Sequence, residues 1–132
     1  MIPDRYYIQA YVTCRQADLD FSRGKWKEGL DKLAQAIKVS PRFVGALIRS
    51  GMASERFRHD NHLAEGYYRK AVAISPTCAL AWMNLSNVRR RLGDNKNADA
   101  YRVKAQDLIS AGPSFSGAKE VGIGLLRHSS GW

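Results

Sequence analysis

His59 and His62 stand three residues apart in "RHDNHLAEG", a spacing that sets two imidazoles near one helix entrance and begins a zinc site. Two imidazoles are too few ligands for structural zinc, so neither a metal nor a cofactor is expected. Asp18 and Asp20 are a second candidate, since general acid and base catalysis uses paired carboxylates. Two residues apart on a helix, they point to different sides and make a poor pair. Cys14 and Cys78 each stand alone, with no CxxC pairing, and read as buried reduced thiols. No glycine-rich phosphate loop or nucleophile motif appears. Catalysis has no constellation to rest on, and the chain is read as non-enzymatic.

Charge carries more information. Twenty-one Lys and Arg against twelve Asp and Glu leave a formal net charge of +9, which attracts polyanions and acidic surfaces without identifying a fold. Three of the arginines, Arg89-Arg90-Arg91, crowd one helix end. There they meet the negative end of the helix dipole, an effect of about 0.3–1 kcal/mol, and they equally suit a partner's acidic groups. Arg42, Arg58 and Lys96 add basic surface, so RNA is a possible partner, although no RNA-binding motif accompanies them.

The elements that position these residues follow from patterning. A chain of 132 residues with 45% hydrophobic and 25% charged residues suits one soluble domain with a real core. No stretch approaches the roughly 20 apolar residues of a membrane span. The N-terminal "MIPDRYYIQAYVT" has no signal-peptide character, which makes a cytoplasmic location the expectation.

Self-similarity organises the rest. Aligning "GKWKEGLDKLAQAIKVSP" with "HDNHLAEGYYRKAVAISP" pairs Gly29, Leu33, Ala36 and Pro41 with Ala64, Tyr68, Ala71 and Pro76, each 35 residues on. A third copy, "GDNKNADAYRVKAQDLIS", places Ala98 and Ala105 34 residues after Ala64 and Ala71. Apolar residues at helical spacing make each copy an amphipathic helix, and a second helical stretch precedes each. Gly24 and Gly93 suit the left-handed turn that ends the first helix of a pair, and His59-Asp60-Asn61 fills that place less well. Pro41 and Pro76 disfavour helix at Ser40 and Ser75 and end the second. The alanines let paired helices approach closely.

Trp82, Leu85, Ser86, Gly93, Ala98 and Ala105 resemble the tetratricopeptide repeat pattern, as do Ala64, Tyr68, Ala71 and Pro76, and Gly24, Leu33, Ala36 and Pro41. The copies depart from it with Gly29 for the alanine, Ile48, Gly51 and Met52 in the middle first helix, and Arg102 and Ser110 in the last copy. The resemblance implies an all-α fold, an α-solenoid of three helix-turn-helix pairs at about residues 10–43, 45–78 and 79–112. Trp82 is then a packing residue, set against Tyr68 and Val72.

The resemblance also implies that the first helix of each pair lines a concave groove. Tyr11, Cys14, Asp18 and Phe21 would come from the first copy. Ala46, Arg49, Ala53 and Arg56 would come from the second, and Leu80, Met83, Asn87 and Arg90 from the third. Guanidinium groups present paired donors to carboxylates, and an asparagine amide can hold a peptide backbone. Arg49, Arg56, Asn87 and Arg90 are therefore expected to bind an acidic segment of a protein partner, with Tyr11, Phe21 and Met83 taking its apolar side chains. Cys14, Asp18 and Leu80 stand where chaperone-binding relatives need other residues, so chaperone docking is not expected. The expected role is an adaptor or assembly subunit; an RNA-associated protein and a permanent subunit of a larger complex are the alternatives.

Residues 113–132 change character. Glycine and serine surround Val121, Ile123, Leu125 and Leu126, and Gly122 and Gly124 each weaken a helix by about 1 kcal/mol relative to alanine. An irregular extension is expected, either capping the exposed flank of the last pair or docking Leu125, Leu126 and Trp132 onto a partner. Tyr6, Tyr7 and Ile8 at the other end suit a subunit contact.

Overall fold

The computed structural model describes residues 5–112; Pro3, Asp4 and the extension with Leu125, Leu126 and Trp132 lie outside the described residues. Six helices follow one another: α1 (Arg5–Ser22), α2 (Trp26–Val39), α3 (Val44–Arg56), α4 (Asn61–Ile74), α5 (Ala79–Arg91) and α6 (Asn95–Ser110). They pack as antiparallel pairs α1/α2, α3/α4 and α5/α6, and the pairs stack in chain order. Apart from the connecting turns the described residues are helical, and no strand occurs among them.

Local chemistry sets the helix ends. Gly24 and Gly93 take positive φ angles of 77° and 90°, the region glycine enters without a steric penalty. The corresponding turn of the middle pair uses His59 at φ 52°, so an L-residue bears that conformation there. Asp60 and Asp94 then cap α4 and α6, accepting from the backbone N–H of Leu63 at 3.0 Å and Asn97 at 3.1 Å. The helices before Pro41 and Pro76 stop at Val39 and Ile74, with Ser40 and Ser75 as C-caps.

Packing within the pairs depends on small residues. Ala10, Ala17, Ala36, Ala64, Ala71 and Ala105 are fully buried, and their short side chains bring helix axes together. At Gly51 the approach is closest: a Cβ built there would lie 2.3 Å from the Tyr68 ring. Tyr68 thus fills the volume that a larger α3 residue would take. Ser86 is buried at the α5/α6 crossing and donates to the Ala98 carbonyl at 2.6 Å.

The core falls into two clusters. One joins Ala10, Cys14, Ala17 and Phe21 of α1 to Leu33 and Ala36 of α2 and reaches Ala46 and Ala53 of α3. The other joins Leu47, Ile48 and Met52 of α3 to Tyr68, Leu85 and Val88. Trp82 is half-buried against this second cluster, which includes Tyr68 and has Val72 packed on it as well. Its ring pairs with Tyr101 of its own helix pair at 5.6 Å, and its indole N–H donates to the Pro76 carbonyl at 2.8 Å. Cys14 and Cys78 are buried and not joined in a disulfide. No described helix is long and apolar enough to cross a membrane.

Candidate partner-binding groove

The first helices α1, α3 and α5 carry the expected groove residues, and their exposure divides those residues into two groups. Arg49 is only 1% exposed. Its Nε and Nη2 donate to the two carboxylate oxygens of Asp18 at 2.9 and 3.0 Å, and Nη1 donates to the Gly45 carbonyl at 3.1 Å. The expectation of Arg49 as a groove cation is corrected: its charge is spent on joining α1 to α3. Phe21, expected to take a partner's side chain, is likewise buried, stacked on Phe57 at 5.3 Å. Both residues lie beneath the surface that the first helices present.

The Arg49–Asp18 pair was absent from the sequence-based expectation, which placed Asp18 in the groove without a partner. A signal existed. The residues are 31 apart, one 35-residue repeat less one helical turn, the offset that sets neighbouring first helices side by side. Cys14 lies in the same environment, and burial pushes its thiol up to about 12, with Arg49 opposing and Asp18 reinforcing the shift. A thiol so protonated is a packing group, not a nucleophile.

Asp20 turns away from Asp18 and pairs with Lys32 of α2, so the two carboxylates serve different helices. His59 and His62 are both exposed. Among the described residues no three of His, Cys, Asp and Glu gather as metal ligands.

The arginine triplet has a specific structural use. Arg89 donates to Glu65 of α4 at 2.7 Å and to Asp94, the α6 cap, at 2.5 Å. Hydrogen bonds from Arg89 and then from Asn97 hold the Asp94 carboxyl down at about 2. Arg90 donates to Asp99 of α6 at 2.8 Å. Arg91 pairs with Glu55 of α3, which also accepts from the buried Tyr68 hydroxyl. Three consecutive side chains on one helix end therefore reach α4, α6 and α3.

The second group reaches the surface. Arg56 and Asn87 are exposed, and Tyr11 and Met83 are half-buried. Arg90 is exposed together with its partner Asp99. Tyr11 lies beside Phe43, ring centroids 6.4 Å apart, and Tyr7 meets the same ring edge-on at 5.0 Å. Exposed polar and cationic groups thus stand on α3 and α5, and an aromatic cluster joins α1 to Phe43 at the start of α3.

No family model matches the chain, and no curated protein matches its sequence. Among solved structures it is similar to the crystal structure of MamA, a tetratricopeptide-like helical repeat protein, with a TM-score of 0.71 and 19% identity. The match covers 77% of this chain and 59% of the MamA chain. At that identity the likeness speaks for the fold, and the fold is a helical repeat solenoid of tetratricopeptide type.

Proposed function

We propose that the protein is a non-catalytic adaptor or assembly subunit whose concave side holds an acidic, partly apolar segment of a partner protein. The observation that carries this reading is that Arg56, Met83, Asn87 and Arg90 on α3 and α5, with Tyr11 on α1, stay exposed or half-buried on helices that line the concave side of such a solenoid. Arg56 and Arg90 meet the partner's carboxylates, Asn87 its backbone, and Met83 and Tyr11 its apolar side chains. Arg90 exchanges Asp99 for the incoming carboxylate at little cost, because exposed ion pairs contribute about 0–1 kcal/mol. Arg49 and Phe21 act beneath this surface by holding α1 against its neighbours.

The test is fluorescence polarisation with a panel of acidic peptides that carry leucine or phenylalanine. We expect Arg56→Glu to weaken the best binder at least about tenfold, the equivalent of 1.4 kcal/mol. Equal affinity in the variant would remove the groove from the reading.

The net charge of +9 favours a second reading, an RNA-associated protein. Affinity capture with and without nuclease separates the two, and a steep fall of affinity with salt would mark phosphate contacts. The outward residues Ile8, Val12 and Leu19 of α1, each about half exposed, would serve attachment in a permanent complex.

A further inference from the structure

On the outer side of the solenoid, between α2 and α4, a cavity of about 180 Å³ opens over α3. That exceeds the roughly 150 Å³ cavity in an engineered protein interior that accepts benzene. Its buried floor is Leu33, Ser50 and Ser54; half-buried Leu30, Ile37 and Tyr67 form the walls. The space exists because α3 presents two serines where larger side chains would close the gap between the outer helices.

Two polar groups lack protein partners. The Ser54 hydroxyl is satisfied, donating to the Ser50 carbonyl at 2.7 Å. The Ser50 hydroxyl, on a residue only 5% exposed, makes no hydrogen bond to another described residue. This residue lines the cavity, where its hydroxyl can both donate and accept. At the exposed mouth stands Arg58, whose guanidinium forms no ion pair among the described residues and presents paired donors suited to a carboxylate.

We propose that this cavity binds a small aromatic carboxylic acid carrying a polar group opposite its carboxylate. The ring lies among Leu30, Ile37 and Tyr67, the carboxylate meets Arg58 at the mouth, and the far polar group exchanges a hydrogen bond with Ser50. Apolar walls with a few convergent polar groups are the usual composition of a small-molecule site. The site is separate from the concave groove and does not depend on its having a partner.

The test is a backbone-amide NMR titration of the full chain with para-hydroxyphenylacetate. We expect saturating shifts at the amides of Leu33, Ser50 and Leu63. Affinity should be roughly tenfold weaker for para-hydroxyphenylacetamide and for the Arg58→Gln variant, each lacking one half of the charge pair. Ser50→Ala should lose the preference for para-hydroxyphenylacetate over phenylacetate. Ala34 is an exposed helical residue at the mouth, so Ala34→Leu should keep the melting temperature and abolish the shifts. The proposal is overturned if no saturating shifts appear, if they centre on Arg56 and Asn87, if Arg58→Gln binds as tightly as the unaltered chain, or if the shifts persist in Ala34→Leu.

Discussion

The bidentate pair between Arg49 and Asp18 shows how a cation on a first helix of the solenoid can belong to the fold rather than to the surface. Both residues are nearly excluded from water, so each charge depends on the other for solvation. Removing one partner leaves an uncompensated buried charge. Arg49→Ala should destabilise the protein by about 3–5 kcal/mol, a large share of the 5–15 kcal/mol typical of a domain. The double variant Arg49→Met with Asp18→Leu should cost clearly less. Urea unfolding of the three proteins checks this, and a loss below about 1 kcal/mol in Arg49→Ala would contradict it. The arginines at the end of α5 act in the same way at lower cost. They remain partly exposed, and each binds a different helix.

At the scale of the helix pair, close approach and side-chain size compensate one another. Gly51 lies where the repeat pattern has leucine, and Tyr68 of α4 packs onto its backbone and passes its hydroxyl to Glu55. The missing side chain on α3 is thus replaced by a ring from α4. Adding even a methyl group forces Tyr68 outward and strains its hydrogen bond, so Gly51→Ala should cost about 1–3 kcal/mol despite alanine's better helix propensity. Thermal unfolding measures the loss, and a raised melting temperature would show that Tyr68 yields freely. Gly29 and Phe21 repeat the arrangement in the first pair, where a Cβ would lie 2.7 Å from the ring. The middle and first copies depart from the repeat pattern where rings have taken over the packing.

At the scale of the molecule, the two core clusters meet at α3. The later pairs are joined by a continuous apolar cluster and by the ion pairs of Arg89 and Arg91. The first pair is joined by the Arg49–Asp18 pair and by aromatic contacts of Tyr7, Tyr11, Phe21 and Trp26 with Phe43 and Phe57, with the α2–α4 cavity beside it. Repeat proteins open by nearest-neighbour units. Native-state hydrogen exchange should therefore show the amides of α1 and α2 exchanging through a partial opening of lower free energy than those of α3 to α5. Exchange of all these helices through one global event would mean that the pairs are energetically inseparable.

The period, the helix pairing and the helix ends were legible in the residues themselves, because alanine, glycine and proline act through backbone sterics over a few positions. The same local logic placed Trp82 in the core and excluded an acid/base role for Asp18 with Asp20. The destinations of the charges were not legible: Arg49 and Arg56 belong to one helix and share one residue type, yet one is buried against Asp18 and the other exposed. That difference depends on which neighbouring helix supplies a carboxylate and how closely it stacks, a matter of long-range packing. The α2–α4 cavity is of the same kind, since the small residues of α3 become walls of a space only when two outer helices stand on either side. The sequence determined a stack of three helix pairs; the tertiary structure decided which polar groups the stack buries and which it leaves exposed.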